Sequence, residues 1–157
     1  MDIEKSVEES LTEHVQIVMV EHINGSGRLF GGKLMEWIDV VAGVVARRHS
    51  QCNVTTAAID NLQFKAAAHL NDTLVLIGRL TYVGNTSMEV RVDTYVEGMD
   101  GMRKPINRAY LVMVAIDEDE NPTKVPKLIV DTESQRAEWE GGNKRTELRK
   151  LRRKEGY

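Results

Sequence analysis

The spacing of apolar residues predicts one long helix near the start of the chain. Between Gly32 and about His49, apolar side chains recur every three or four positions, which is the periodicity of a helix face. This stripe consists of Leu34, Trp37, Ile38, Val41 and Val45. Most of the other positions in this segment are apolar as well, so we expect the helix to be buried within the fold.

Five further segments have the composition and alternation of β-strands. They are residues 15–22, 53–65, 73–83, 86–98 and 106–117. Gly84 and Asn85 separate the third and fourth segments by a tight turn, which predicts an antiparallel hairpin. The second half of the last segment is apolar on both faces, and we expect its outer face to be buried against another copy of the chain.

The two ends of the chain are polar. Residues 1–13 form an acidic lead-in, and the charged tail from about Asp131 is predicted to be helical. Thr132 and Gln135 have the spacing of a capping box at the start of this tail helix. Gly141 and Gly142 are expected to break it. The basic residues between 144 and 156 are most simply explained as the solvent-exposed face of a helix.

One long helix with about five antiparallel strands predicts an α+β fold in which a sheet wraps around a central helix. We find no internal repeat or linker, so residues 1–157 are expected to form a single domain. Its core would cover about residues 12–127, and a C-terminal tail would cover about residues 128–157.

Composition and charge argue against several classes of function. A net charge of -3 and a pI of about 5.8 do not favour binding to nucleic acid or an anionic membrane. The N-terminus lacks the apolar core of a signal peptide, and the apolar run 38–46 is too short to span a bilayer. Cys52 is the only cysteine, which excludes an internal disulfide and fits the cytoplasm. No pair of histidines has the spacing of metal ligands, so we expect no metal.

Asp39 is the unusual residue of the long helix. On a helical wheel it lies opposite the apolar stripe, beside the small residues Gly32, Gly43 and Ala46. The helix start at Gly31 and Gly32 offers free N–H groups, so an oxyanion site with a nearby base is one interpretation. The other interpretation is a wet helix face, because Lys33, Glu36 and Arg47 lie on the same side.

The sequence resembles the hot-dog-fold acyl-CoA thioesterases, in the group of YciA-like enzymes and cytosolic long-chain acyl-CoA hydrolases. The similarity covers about residues 12–127. It rests on the pattern Asn-x-x-Gly-x-x-Phe-Gly-Gly, which begins at Asn24, with Asp39 seven residues after Gly32. The segments "TTAAIDNLQFK" and "YVGNTSMEVRVD" add to it. The sequence departs from the family in having Ala66, where the family has proline, and Asn71, where it has glycine.

The resemblance implies a function and a site. The chain is expected to hydrolyse acyl-CoA thioesters, with Asp39 as general base or nucleophile and with the carbonyl polarised at Gly32, beside Gly31. Asn24 would be contributed across a subunit interface. The turn that binds CoA would consist of Gly84, Asn85, Thr86 and Ser87. The resemblance implies a homodimer, possible assembly into a trimer of dimers, and no cofactor, since CoA is part of the substrate.

Several points stay open at this stage. Basic residues should meet the CoA phosphates, and the candidates are Arg91, Lys104, Arg108, Lys144, Arg145, Arg149, Lys150, Arg152 and Arg153. His22 is close enough to Asn24 along the chain to line the site. A non-catalytic acyl-CoA sensor is the main alternative function, and a hot-dog dehydratase is another, although no histidine is near Asp39 in the sequence. The acyl chain length depends on a tunnel that the sequence does not reveal.

Overall fold

The fold consists of a curved sheet with a helix on each face. The computed structural model describes residues 2–157, apart from the side chain of Asn61. The strands are β1 (Glu4–Ser6), β2 (Thr12–Ile17), β3 (Asn53–Phe64), β4 (Thr73–Val83), β5 (Ser87–Glu97), β6 (Arg103–Ile116) and β7 (Lys127–Ile129). The helices are α1 (Gly31–Ser50) and α2 (Glu133–Glu155), with one turn of 3-10 helix at Val20–His22.

The main sheet is antiparallel throughout, with the strand order β2-β4-β5-β6-β3. The predicted hairpin is present, because β4 and β5 are neighbours joined by the turn at residues 84–86. Strand β3 is at one edge of the sheet and pairs only with β6. Strands β1 and β7 form a separate two-stranded parallel ribbon.

Helix α1 packs against one face of the sheet and supplies much of the core. Four of the five residues in the predicted apolar stripe are fully buried, whereas Trp37 is only partly buried. They pack with apolar side chains of β4, β5 and β6. Gly78 in β4 makes this close packing possible, because a Cβ there would lie 2.7 Å from Val41 Cγ1. The predicted α+β fold, a sheet wrapped around one long helix, is therefore confirmed.

The N-terminal region differs from the sequence prediction. The first strand of the main sheet is β2, at residues 12–17, rather than a strand at 15–22. It ends before Val18, which is already buried in the core, and residues 20–22 turn as a 3-10 helix. The lead-in is not structureless either, because β1 pairs with β7 from the far end of the core. This pairing depends on residues more than a hundred positions away, so local pattern could not reveal it.

Helix α2 covers the outer face of the sheet. Its N-cap is Thr132, whose hydroxyl accepts the N–H of Gln135, while the side chain of Gln135 accepts the N–H of Asp131. The helix continues through Gly141 and Gly142, so the prediction of a break was wrong. Gly142 is buried, and a Cβ there would lie 2.5 Å from Tyr82 Cβ. Gly142 therefore allows α2 to pack closely against β4.

The same helix covers part of the outer face of the last strand, a face that the sequence predicted to be buried by another copy of the chain. Tyr110 of β6 is covered within the chain by Arg145 of α2, whose guanidinium lies 3.7 Å from the ring centroid. Farther along β6, Val112 and Val114 stay half-buried beside the end of α2.

Charged groups join α2 to the sheet in a buried network. Glu89 of β5 is 2% exposed, and its carboxylate accepts hydrogen bonds from Arg145 at 2.8 Å and from Arg149 at 2.6 Å. Arg149 also donates to Asp60 of β3 at 2.5 Å. A second group connects Arg91, Asp93, Arg108 and Glu138. An unpaired buried charge is energetically costly. The charged side chains of α2 and the sheet therefore stay paired, and this fixes the position of the helix on the sheet.

This network changes the acidity of its central carboxylate. Burial by itself would raise the pKa of Glu89, but hydrogen bonds from Arg145, Thr81 and Arg149 outweigh that effect and hold the pKa below its ordinary value. A carboxylate with a lowered pKa adds stability that is present above its unfolded pKa and is lost as the pH falls through the folded value. The attachment of α2 is therefore strongest near neutral pH and weakens in acid.

The two adjacent glycines of α2 provide a test of this packing. We expect Gly142→Ala to lower the free energy of unfolding by about 1–3 kcal/mol, because the new methyl group overlaps the backbone-proximal Tyr82 Cβ. Gly141→Ala is the matched comparison, since its Cβ would meet the guanidinium of Arg145 at 3.1 Å, a milder overlap that a shift of a few tenths of an ångström relieves. Helix propensity favours alanine in both variants by about 1 kcal/mol. Urea unfolding measures the difference, and equal stability of the two variants would contradict the packing argument.

Candidate active site

Asp39 lies at the middle of α1, on the side that faces the edge strand β3. Its Oδ1 accepts a hydrogen bond of 2.6 Å from the hydroxyl of Thr56. The same hydroxyl oxygen lies 3.5 Å from Met113 Sδ. Gly43, one turn after Asp39, leaves open space here, because even an added Cβ would reach only Met113, at 3.9 Å. The carboxylate is half-buried and has room beside it for another group.

The alternative of a wet helix face is not what the structure shows for Asp39. Lys33 and Glu36 do form an exposed ion pair of 2.8 Å on the first turns of α1. Asp39 does not join it, and its described hydrogen bond is to Thr56 instead. Sequence reasoning missed Thr56, since threonine is common in strands and nothing local sets this one apart.

The start of α1 presents the backbone amides that the sequence predicts. Phe30 is the N-cap residue. Its side chain cannot accept a hydrogen bond, so it caps none of the first N–H groups of the helix. The N–H groups of Lys33 and Leu34 both bond to the carbonyl of Phe30. Among the described residues, the amides of Gly31 and Gly32 have no acceptor. The positive end of the helix dipole adds to their attraction for a developing negative charge.

Asn24 has a fixed orientation in the loop before α1. Its Oδ1 accepts the backbone N–H of Ser26 at 2.9 Å and that of Arg28 at 3.3 Å. The carbonyl of Asn24 also accepts the N–H of Gly27, whose φ of 73° suits glycine. The side-chain oxygen is thus occupied within the loop, while Asn24 as a whole is exposed and the described hydrogen bonds leave its Nδ2 amide without an acceptor.

One chain does not bring Asp39 together with the other predicted catalytic residues. Asn24 and Gly31 line a cavity of about 430 Å³ with Phe64 and residues 65–68, and Asp39 is not part of its wall. Asp39 follows Gly32 by seven residues. This places the two residues on the same side of α1 but about 10 Å apart along its axis. A single carbonyl group cannot contact both within one subunit.

Strand β3 offers a surface for a second subunit. Its outer edge pairs with no strand in the described part of the chain, and none of its described side chains is fully buried. Strand β3 and helix α1 also carry exposed apolar side chains, which are Ile59 and Phe64 on the strand and Met35 and Val40 on the helix. A long unpaired edge of this kind is a template for pairing with another chain.

The predicted CoA-binding turn is divided between two cavities. Gly84 and Asn85 line one of about 440 Å³, together with residues of β7 and the loop before it. Thr86 and Ser87 line another of about 550 Å³, between the sheet and the end of α2. Within the turn itself, the N–H of Gly84 bonds to the carbonyl of Ser87 at 2.9 Å.

The remaining predicted residues have other surroundings. His22 accepts the N–H of Met19 through Nδ1, and its ring packs edge-on against Trp37 at 4.8 Å, which is a structural role. Asn71 adopts a φ of 71°, so asparagine does replace the glycine of the family at this turn. Arg91 and Arg108 are occupied by Asp93.

The described part of the chain offers neither a metal site nor a helix suited to crossing a membrane. Within residues 2–157, apart from the Asn61 side chain, no group of three or more histidine, cysteine, aspartate or glutamate residues is placed to hold a metal ion. Neither described helix combines the length and the apolar character that crossing a bilayer requires.

Comparison with known proteins agrees with the resemblance noted in the sequence. Residues 26–102 match the model of the thioesterase superfamily. An uncharacterised acyl-CoA thioester hydrolase of Zymomonas mobilis is 39% identical, over 71% of this chain and 76% of that protein. The cytosolic acyl coenzyme A thioester hydrolase of rat is 31% identical over 76% of this chain. The chain spans only 32% of the rat protein's length.

Solved structures give the same result over nearly the whole chain. A hexameric acyl-CoA thioesterase superposes with a TM-score of 0.91 and 36% identity, covering 96% of this chain and 97% of that one. The acyl-CoA hydrolase of Staphylococcus aureus, in complex with butyryl-CoA, CoA and CoA disulfide, has a TM-score of 0.92 and 29% identity. This match covers 98% of this chain and 94% of the S. aureus chain.

The S. aureus hydrolase has also been solved as three single alanine variants. They replace an asparagine, an aspartate and a threonine, in the same order and with the same spacing as Asn24, Asp39 and Thr56 here. The matches in sequence and fold show that this chain belongs to the hot-dog-fold acyl-CoA thioesterases of the thioesterase superfamily.

Proposed function

We propose that the protein hydrolyses acyl-CoA thioesters to a carboxylic acid and free CoA, with Asp39 as the essential carboxylate. The observation that supports this best is the arrangement at the middle of α1. Thr56 holds one oxygen of Asp39 at 2.6 Å, and Gly43 leaves space beside the carboxylate for a substrate. The relatives named as acyl-CoA thioester hydrolases support the same reaction.

In this proposal each active site is formed by two subunits. Asp39 and Thr56 come from one subunit, and Gly32 and Asn24 come from a second subunit whose α1 start approaches this carboxylate. The separation of about 10 Å along α1 supports this arrangement, because it is longer than one carbonyl group spans by direct contact. The unpaired edge of β3 is the surface through which two subunits would associate.

The reaction follows from the placement of these groups. The thioester oxygen accepts the N–H of Gly32 at the positive end of a helix, which stabilises the negative charge that develops there. Asp39 takes a proton from a water molecule, and the water oxygen bonds to the carbonyl carbon. When the tetrahedral intermediate collapses, the C–S bond breaks and the CoA thiolate leaves with the electron pair. Asp39 then gives this proton to the CoA thiolate, which yields the free thiol and restores the carboxylate of Asp39.

A second route uses the same residues. Asp39 attacks the carbonyl carbon itself, CoA leaves as the thiolate, and water hydrolyses the resulting mixed anhydride. In both routes the hydrogen bond from Thr56 fixes one carboxylate oxygen, so the other oxygen faces the substrate. Asn24 would orient the water or the carbonyl through its Nδ2 amide. Both routes remain part of the proposal, since they need the same geometry.

We further propose that the protein assembles as a homodimer, and as a trimer of dimers, in the cytoplasm. The hexameric thioesterase that superposes over nearly the whole chain supports the assembly. The rat relative named as cytosolic supports the location. Acyl-CoA is the substrate in this proposal, and CoA is released as product rather than held as a cofactor.

Replacing the carboxylate tests the assigned function. We expect Asp39→Ala to lower kcat for acyl-CoA hydrolysis by about a thousandfold or more while CoA binding is retained, since the base or nucleophile is lost. Glu36→Ala is the control, because Glu36 is an exposed acid on the same helix. Steady-state kinetics with a thiol-reactive dye provides the measurement. Turnover of Asp39→Ala at the wild-type rate would refute the role of Asp39.

The hydrogen bond to Asp39 is tested at Thr56. We expect Thr56→Val, which keeps the shape but removes the hydroxyl, to lower kcat by about 10- to 100-fold with little change in KM. Thr56→Ser retains the hydroxyl and should keep most of the activity. A full loss in Thr56→Ser, or no loss in Thr56→Val, would show that the hydroxyl does not position the carboxylate.

Sharing of the site between subunits is tested by mixing two inactive variants. Asp39→Ala and Asn24→Ala chains carrying different tags are co-expressed, and the mixed dimers have one intact and one doubly altered site. We expect recovery of about a quarter of the wild-type activity, as half of the dimers are mixed and each has one working site. If each site belongs to a single chain, mixing restores nothing.

A further inference from the structure

Strand β3 carries Thr56 at the edge of the sheet, where few contacts hold it. The strand pairs only with β6, and its register with β6 shifts between Thr56 and Ala58 and again just after Asp60. Between these two irregularities, only residues 58–60 pair regularly with β6. Such irregularities interrupt the ladder of hydrogen bonds and bend the strand. The position of the Thr56 hydroxyl therefore depends on what fixes residues 58–60.

An ion pair on the outer face of the sheet holds this stretch of β3. The carboxylate of Asp60 accepts a hydrogen bond of 2.5 Å from Arg149 of α2. The same guanidinium donates to Glu89 of β5 at 2.6 Å. Since the strand order is β5-β6-β3, Arg149 links the edge strand to β5 across the strand that lies between them. One side chain thus joins α2, β5 and β3.

The three charged groups of this link are largely shielded from water. The side chain of Arg149 is 12% exposed, that of Asp60 is 15% exposed and that of Glu89 is 2% exposed. A buried ion pair adds little net stability compared with apolar packing, so it is better suited to fixing a position. The planar guanidinium, with its donors in a fixed fork, can bind two carboxylates at once in one geometry. This geometry defines where β3 lies relative to the rest of the sheet.

The other arginines of α2 contribute less to the position of β3. The sequence made Arg145 and Arg149 candidates for contacting the CoA phosphates, but Glu89 occupies both of them in the structure. The described ion pair of Arg145 is with Glu89 alone, so it attaches α2 to β5 and not to β3. Arg152 approaches Asp60 only at 3.5 Å and is 44% exposed. Arg149 is therefore the main link between α2 and the edge strand.

We propose that Arg149 and Asp60 are positioning residues for the reaction, which hold β3 so that the hydroxyl of Thr56 meets Asp39. This inference rests on the proposed function and adds to it a requirement for α2. Neither residue touches the reacting atoms, because α2 covers the opposite face of the sheet from α1. Without the ion pair, residues 58–60 would be held by their hydrogen bonds to β6 alone. A small shift of the strand would then lengthen the bond of 2.6 Å that orients the carboxylate.

The experiment removes the carboxylate of β3 and leaves α2 attached to the sheet. In Asp60→Ala, Arg149 keeps its hydrogen bond to Glu89, so the helix retains its contact with β5. We expect kcat for acyl-CoA hydrolysis to fall about tenfold, with KM within about twofold of wild type, because the base is misplaced while substrate contacts are kept. Asp60→Glu keeps a carboxylate and should recover most of this loss. A wild-type kcat in Asp60→Ala would overturn the proposal.

Glu138→Ala is the matched control. Glu138 of α2 binds Arg91 of β5 on the same outer face, and its removal leaves Arg91 with Asp93. This variant also loses one carboxylate between α2 and the sheet, but none on β3. We expect its kcat to equal that of the wild type. Equal losses of kcat in Glu138→Ala and Asp60→Ala would show only that a loosened α2 lowers activity, and the positioning role would be wrong.

A double substitution shows whether Asp60 acts through Thr56. In the Thr56→Val background the hydroxyl is already absent, so adding Asp60→Ala should lower kcat no further. If the two losses multiply, Asp60 acts independently of Thr56 and the proposal is refuted. The variants are assayed at several protein concentrations, since β3 is also the proposed contact between subunits. A loss in Asp60→Ala that disappears at high concentration would assign Asp60 to subunit association instead, and would also refute the proposal.

Hydrogen exchange tests the anchoring of β3 without the use of activity. The protected amides of residues 53–58 should exchange about tenfold faster in Asp60→Ala than in the wild type, and at the wild-type rate in Glu138→Ala. Unchanged exchange in Asp60→Ala would overturn the proposal, whether or not the protein turns over a thioester. If the wild type hydrolyses no acyl-CoA, the proposed function fails, while faster exchange in Asp60→Ala still supports the anchoring of the strand.

Discussion

The packing of α1 against the sheet is the constraint on which the rest of the molecule depends. The apolar stripe must face β4, β5 and β6, so the rotation of the helix is fixed by the core. That rotation turns Asp39 toward β3, where Thr56 meets it at 2.6 Å. It also fixes the distance between the carboxylate and the free amides at the helix start. The proposed sharing of the active site between subunits would thus be a consequence of how one helix fills the core.

Helix α2 has two surfaces with different roles. Its inner side carries Arg145 and Arg149, whose ion pairs with Glu89 and Asp60 are buried against the sheet. Its outer side and last turns carry bases that are largely exposed. Buried ion pairs contribute little net stability compared with apolar packing, but they define position well. Here they define where a row of exposed charges lies relative to the sheet.

The sequence predicted the parts of the structure that depend on local pattern. Helix α1 and the β4–β5 hairpin were both predicted within a few residues of their observed bounds. The errors involve contacts between distant segments. Gly142 was interpreted as a helix breaker because nothing local reveals its contact with Tyr82. Thr56 was missed for the same reason, since its importance comes only from the approach of α1. The site roles of Asn24, Gly32 and Asp39 stay predictions until variants are measured.

If two subunits pair through the open edge of β3 and share each active site as proposed, catalysis depends on the concentration of the protein. A site divided between two chains exists only while the chains are associated, so dilution below the dissociation constant separates its halves without unfolding either one. Activity per molecule then falls as the protein becomes scarce, and total activity changes more steeply than abundance. The amount of this chain in a cell would in that way act as a threshold on thioester turnover, with no regulatory ligand required.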